Sequence, residues 1–366
     1  MTPQPTSGPT PRRTLLKAAL LASSTALFPA PAATAASRGG GLQLPAPAGP
    51  YPVGLRTVHL TDPARTDPWV GGVREVMLTV LYPAATVRGF SRAPQLTPAE
   101  AREFATYAPL VHPGLPERGA VDWGAVLTHG YVGAPVLPGR WPVLLYSPGG
   151  GDSRTLGTSL AEDLASHGRM VALVDHPGDA SQVELPTGIR TTVLAGPPDP
   201  ATFRTMVDTR IADLRLVLDR LGSLPLAPVM DRGRIGLYGH SAGGTSVVYA
   251  ARGDRRIGAV ANLEGYLDLY PPPTGHDRPL LLFRSDGFEG GARITSSWAD
   301  VPGCRALLTD AHHWAFTDYG SLVPQLQSAG LVRATTRTAL VGPGDPAVTS
   351  TVVRRRVGAF FARQGL

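Results

Sequence analysis

Beyond Tyr51 the chain alternates between short runs of consecutive apolar residues and longer stretches whose apolar positions recur every three or four residues. The first kind reads as buried strand and the second as amphipathic helix. Val53 to Leu60 and Arg74 to Tyr82 are predicted as paired opening strands, followed by a short buried strand at Pro142 to Tyr146, a helix at Ser153 to His167 and a strand at Met170 to Val174. From Thr205 to Leu221, Val207, Ile211, Leu214, Leu218 and Leu221 form an apolar stripe opposite a charged face, which predicts a helix packed on a sheet. Strands are then predicted at Arg234 to Tyr238, Ile257 to Asn262, Pro279 to Phe283 and Arg305 to Leu308, with a closing helix at Ser350 to Arg363. Such alternation predicts an α/β fold, a mostly parallel sheet with helices on both faces. The stretch from Ser91 to Arg140 breaks the rhythm: one helical piece, Pro98 to Tyr107, stands among Pro and Gly turns, and the stretch reads as an insertion rather than a domain.

Composition narrows the function classes. Of 366 residues, 43% are hydrophobic and 17% charged, enough apolar material for a large core and incompatible with disorder. The formal charge of +6 raises nucleic-acid binding, but the arginines are scattered and Lys17 is the only lysine. The densest basic run, Arg354 to Arg356, falls in the predicted closing helix and reads as a solvated face, so no nucleic-acid partner is expected. Cys304 is the sole cysteine, which excludes an intramolecular disulfide and a cysteine metal cluster.

Residues 1–36 read as a twin-arginine signal peptide. Pro11-Arg12-Arg13-Thr14-Leu15-Leu16-Lys17 precedes an apolar stretch from Ala18 to Phe28, and Ala33-Thr34-Ala35 supplies a small-residue cleavage signal, with cleavage expected after Ala35. The apolar run is too short to span a bilayer and is closed by Pro29 and Pro31, so secretion is expected rather than a stable membrane anchor. Arg12, Arg13 and Lys17 carry half of the net charge, and export of an already folded chain fits the lack of disulfides. Residues 37–366 are expected to form a single domain carrying the insertion at about 91–140.

Gly239-His240-Ser241-Ala242-Gly243 matches G-x-S-x-G, the turn that lifts a serine hydroxyl off the end of a strand. A bare match carries little in a chain with 43 glycines; its context carries more. Arg234 to Tyr238 is a buried strand and Ala242 to Val248 opens a helix rich in small residues, the strand–turn–helix that the motif requires. A serine hydroxyl is a weak nucleophile and needs a histidine base oriented by an acid. His276, His312 and His313 follow Ser241, and the adjacent pair sits after the last predicted strand. Glu264 and Asp286 both stand just past predicted strands and are the candidate acids, with Asp268 a weaker third. Ser147-Pro148-Gly149-Gly150-Gly151 is suited to present backbone amides to an oxyanion; as a phosphate loop it lacks the Lys-Ser/Thr ending.

These residues resemble the platelet-activating-factor acetylhydrolase-like (plasma or type II) branch of the α/β-hydrolases, over most of the mature chain. The likeness rests on Gly49-Pro50-Tyr51-Pro52-Val53-Gly54, on Leu144 to Gly151 with Ser153-Arg154-Thr155, on Leu164 to Gly168 and on Asp175-His176-Pro177. The resemblance implies the α/β-hydrolase fold and places the nucleophile on Ser241 and the acid on Glu264, within Asn262-Leu263-Glu264-Gly265, although aspartate is usual there. It places the base on His313, because Phe316 and Asp318 follow at the third and fifth later positions, and the oxyanion amides on Gly150 and Ala242. His176 has no catalytic role in that family. Pro148 stands where relatives often have histidine, and Ser147-Pro148-Gly149 is similar to bacterial cutinase-like enzymes.

The function expected is therefore a secreted serine hydrolase cleaving carboxylic esters, short-chain or lipid, through an acyl-enzyme and without metal or cofactor. A lipase or polyester hydrolase is the alternative within hydrolases, and a non-catalytic binding protein on the same fold the alternative outside them. Phe104, Tyr107, Trp123 and Tyr131 of the insertion are expected in part to wall the acyl pocket.

Overall fold

Strands covered on both faces must be apolar throughout. Every residue of Met170–Asp175 is buried, and so is nearly all of Trp141–Ser147 and Ile257–Leu263. The computed structural model describes residues 41–270 and 278–366, so the leader with its cleavage point after Ala35, and His276, lie outside the described residues. In chain order the elements are β1 (Val53–Thr66), β2 (Val73–Pro83), β3 (Arg92–Pro94), α1 (Pro98–Val111), β4 (Leu127–Val132), β5 (Trp141–Ser147), α2 (Thr158–Ser166) and β6 (Met170–Asp175). The hairpin β7 (Gln182–Leu185) and β8 (Gly188–Thr191), then α3 (Pro200–Arg220), β9 (Met230–His240), α4 (Ala242–Ala251) and β10 (Ile257–Leu263) follow. The chain closes with β11 (Leu280–Ser285), α5 (Gly291–Ser297), β12 (Cys304–Leu308), α6 (Tyr319–Ser328), α7 (Ala334–Val341) and α8 (Pro346–Arg363).

The main sheet has the order β12-β11-β10-β9-β5-β6-β2-β1-β4-β3. Its strands from β6 through β12 are mutually parallel, and β2 pairs antiparallel with both β6 and β1. Alternation along β5 feeds two cores: Val143 and Leu145 pack under α3, α4 and α5, whereas Leu144 and Tyr146 pack under α2, α6, α7 and α8. This is the α/β-hydrolase architecture. From β5 the chain crosses to β6 on one side and later returns to β9 on the other, which leaves a crevice at the carboxyl ends of β5 and β9, where such sheets place ligands.

The insertion contributes more than the sequence suggests. Its helix, α1, has a full capping box, Thr97 Oγ1 accepting from Glu100 N–H and Glu100 from Thr97 N–H. Its strands β3 and β4 widen the sheet beyond β1, β4 running parallel to β1. Phe104 and Trp123 are core residues with ring centroids 4.9 Å apart, and Tyr131 stands on the outlying β4. Of the four aromatics expected near the site, Phe104 and Tyr107 line a small cavity with His112, Gly151 and Asp152; Trp123 and Tyr131 do not. No helix among the described residues is long and apolar enough to cross a membrane.

Candidate active site

The end of β9 makes the sharp turn that the sequence motif demands. A Cβ at Gly243 would collide with the carbonyl oxygens of Ser147 and Pro148, so only glycine lets the elbow lie against the end of β5. Ser241 is held at φ +53°, ψ −122°, directly before Ala242 opens α4. Its N–H donates to the carbonyl of Leu263 at 2.9 Å, which fixes the elbow beside the end of β10. Ser241 is half-buried and its hydroxyl hydrogen-bonds to none of the described residues; in resting enzymes the bond from nucleophile to base is often long and tightens around substrate.

Glu264 follows β10 at once and is also at positive φ, +61°. Asn262 clasps this turn: its Oδ1 accepts from Gly265 N–H at 2.7 Å, and its Nδ2 donates to the Gly265 carbonyl at 2.9 Å. The carboxylate is turned toward the last loop, where Oε2 lies 2.8 Å from His313 Nδ1. Oε1 accepts from Ser285 N–H at 2.6 Å, and Ser285 Oγ donates at 2.8 Å to Oε1 and 3.0 Å to Oε2. Burial raises the Glu264 carboxyl above its usual range, and these donations from Ser285 oppose that rise.

His313 is buried in a nest of rings. Phe288 stacks on it at 4.0 Å between centroids, Trp314 meets it edge-on at 4.9 Å, and His240 lies 4.5 Å away. Burial, and then the neighbouring His312, push its imidazole well below the ordinary value. His240 Nε2 donates to the His313 carbonyl at 2.9 Å and ties the histidine loop to the elbow strand.

Gly150 and Ala242 stand close together: a Cβ at position 150 would lie 3.6 Å from that of Ala242. Neither N–H donates to another of the described residues, and both are suited to receive a developing oxyanion. The loop carrying Gly150 is pinned by buried Arg210, which donates to the carbonyls of Pro148 and Gly149, the latter at 2.9 Å, and pairs with Asp179. At the loop's start Ser147 Oγ lies 2.9 Å from His176 Nε2, whose Nδ1 is 2.9 Å from Asp213 Oδ2; Asp213 pairs with Arg74 at 2.6 Å. His176 is thus a buried scaffold residue.

The other candidates lie apart from this arrangement. Asp286 accepts from the N–H groups of Asp310 and Ala311 at 3.0 and 3.1 Å and shapes the loop before His312. Asp268 pairs with Arg293 at 2.7 Å. His312 Nε2 is 3.1 Å from Glu289 but misaligned for a hydrogen bond. Ser285, His240, Arg210 and Phe288 were not legible beforehand; Ser285 carried one signal, a hydroxyl at a strand end beside a candidate acid.

The model of platelet-activating factor acetylhydrolase, isoform II, matches residues 37–184, a span that includes Gly150 and ends before Ser241. A probable 1-alkyl-2-acetylglycerophosphocholine esterase from Arthroderma benhamiae is 36% identical over 127 residues, 34% of this chain and 32% of the relative, so the match spans about a third of that protein. A ferulic acid esterase from Streptomyces cinnamoneus is 35% identical with a TM-score of 0.73, covering 88% of this chain and 93% of that one. With that identity sustained over nearly the whole of a solved esterase, the chain belongs to the α/β-hydrolases as a carboxylic ester hydrolase, and its residues 37–184 are similar to the platelet-activating-factor acetylhydrolases.

Proposed function

We propose that the chain hydrolyses carboxylic esters through an acyl-enzyme on Ser241. His313 Nε2 takes the hydroxyl proton as Ser241 Oγ attacks the ester carbonyl, and the N–H groups of Gly150 and Ala242 receive the oxyanion. On collapse, His313 passes its proton to the departing alcohol. Water then repeats the sequence on the acyl-enzyme and releases the acid. Glu264 holds the Nδ1 proton throughout and offsets the charge that His313 acquires. The observation that carries this reading is the 2.8 Å contact between His313 Nδ1 and a Glu264 carboxylate fixed by Ser285, at the strand end that bonds to the elbow.

The substrate is proposed as a small or short-acyl ester, lipid esters included, by likeness to the alkyl-acetylglycerophosphocholine esterase. An aromatic-acid ester is the second reading, favoured by the ferulic acid esterase likeness and by Phe288 and Trp314 beside His313. Export through the twin-arginine route is proposed from Arg12-Arg13 and the cleavage signal at Ala33 to Ala35. The test is labelling by a fluorophosphonate probe, with Ser241→Ala as control, and turnover of nitrophenyl esters, an acetyl-glycerophosphocholine ether and methyl ferulate. Labelling lost with Ser241→Ala, together with turnover, supports the acyl-enzyme, and the preferred ester chooses the substrate class. Folded protein that neither labels nor turns over any of these esters refutes the reading.

A further inference from the structure

Beneath the loop that carries Gly150 lies a buried acid which the reaction does not use. Asp152 Oδ2 is 3.9 Å from His240 Nδ1, and neither atom has a hydrogen-bond partner in the structure. Both press against the loop: a Cβ at Gly149 would lie 2.6 Å from Asp152 Oδ2 and 3.1 Å from His240 Nδ1. His240 in turn donates from Nε2 to the carbonyl of His313.

That bond fixes the tautomer. A carbonyl oxygen only accepts, so the proton of a neutral His240 is on Nε2 and Nδ1 presents a lone pair. An ionised Asp152 is also acceptor-only, and two buried acceptors facing each other would leave both unsatisfied. A doubly protonated His240 would answer the lone pair, but it would put a positive ring 4.5 Å from His313, which must itself become positive during catalysis. We propose that Asp152 is a protonated positioning residue that donates Oδ2–H to His240 Nδ1, directly or through one water, and so ties the oxyanion loop to the elbow strand and to the catalytic histidine loop.

The surroundings agree. Arg210 on α3 favours the charged acid, and Asp179, after β6, opposes it. Tyr146 on β5 and Tyr319 on α6 also face Asp152 with their phenols neutral, and His112, after α1, lines a small cavity with Asp152. Burial outweighs Arg210 and pushes the Asp152 carboxyl up to about 7, while burial and His313 hold His240 well below the usual imidazole value. Ionisation of Asp152 would put a negative charge under the amides meant for an oxyanion, so activity should fall on the alkaline side.

The inference rests on the acyl-enzyme reading for its kinetic consequence, but the proton is located without turnover. In histidine-¹⁵N-labelled protein at about pH 6, below the Asp152 value, His240 should show protonated Nε2 and a hydrogen-bonded, unprotonated Nδ1, and a carboxylic-acid C=O band should disappear in Asp152→Asn. That variant, still a donor but unable to ionise, should keep kcat within about threefold and lose the alkaline fall. Asp152→Ala should lower kcat about tenfold or more with KM little changed, the scale on which small misplacements act. A protonated Nδ1 in the native protein, an Asn variant as impaired as the Ala variant, or an unchanged alkaline fall in the Asn variant would overturn the proposal. Should the Ala variant fail to fold, the NMR and infrared results decide. Loss of Ser241 labelling in native protein would instead strike the acyl-enzyme reading.

Discussion

Replacing Glu264 by Gln, with Asp286→Asn as its counterpart, separates the two acids that flank the last loop. The imidazolium proposed to form on His313 would face a carboxylate whose Oε2 is 2.8 Å from Nδ1, with both side chains almost wholly buried. With charge centres about 4 Å apart and an effective dielectric near 20, their attraction is about 4 kcal/mol. Since about 1.4 kcal/mol is tenfold in rate, loss of that attraction slows the reaction about 10³-fold. Gln adds a second fault. If its carbonyl takes the place of Oε1 to keep the Ser285 N–H bond, its NH₂ faces His313 Nδ1 and drives the ring proton onto Nε2, where a base toward Ser241 needs a lone pair. The expected loss in kcat/KM is therefore between about 10³ and 10⁴, the upper figure being that known for the equivalent change in another serine hydrolase. Asp286→Asn removes one of two bonds to the N–H groups of Asp310 and Ala311 at the surface, and should cost about 1 kcal/mol of stability and less than threefold in kcat/KM. The assay is steady-state hydrolysis of a nitrophenyl ester by both variants, with circular dichroism to show that each is folded. A Glu264→Gln enzyme within tenfold of the parent, or an Asp286→Asn enzyme down a hundredfold, would refute the assignment of the acid.

Because the proposed base, His313, could take a proton only when neutral, and because burial holds its imidazole below the ordinary value, kcat/KM should stay level as pH drops past 6.5 and fall only at lower pH. Phe288→Ala exposes the stacked face of the ring and should move that acid limb upward, toward the ordinary value; a limb that stays in place or moves down contradicts the role given to burial. Asp213→Ala leaves Arg74 short of a buried partner and should destabilise the fold by about 3–5 kcal/mol, read from urea unfolding. Burial alone would raise the Asp213 carboxyl, but Arg74 and His176 outweigh it and hold it well below the usual range. A depressed folded-state value stabilises above the unfolded-state value and loses that stability as pH falls through the folded one. The parent should therefore weaken on acidification more steeply than Asp213→Asn, and parallel stability curves would count against the ion pair.

Local pattern revealed the parts whose physics is local. The apolar runs that became β5, β6, β9, β10 and β11, the stripe from Val207 to Leu221 and the glycines around Ser241 each declare themselves within a few residues. Strand β4 did not, because Leu127–Val132 interrupts its alternation with Gly130, a position filled by the Leu55 side chain of a neighbouring strand. Helix α3 starts five residues before the predicted start at Thr205 because Asp199 caps it, accepting from Ala201 and Thr202 N–H. Least legible were the buried charges. Arg74, Arg210, Asp152 and Asp213 read as surface residues until the fold brings Arg74 against Asp213, Arg210 against Asp179 and Asp152 against His240, pairings set by topology. Ser285 is of the same kind: its role exists only because β11 lies beside β10.

Backbone strain offers an independent line to the same site. Among the described residues, Ser241, Glu264 and Asp310 are the non-glycine residues at positive φ. Each such residue costs about 1–2 kcal/mol and persists only where its surroundings over-determine it. Here the surroundings do so: Ser241 is bonded to Leu263, Glu264 is enclosed by the Asn262–Gly265 clasp, and Asp310 donates to Asp286 and accepts from Gly344 at 2.8 Å. The three stand just past β9, β10 and β12, and each turns the chain so that a different group arrives at one crevice: a hydroxyl, a carboxylate and, three residues after Asp310, an imidazole. A glutamate can replace the usual aspartate under these conditions because the longer side chain is anchored at its far end, where Ser285 supplies two donors. Its extra methylene thus adds reach without adding freedom.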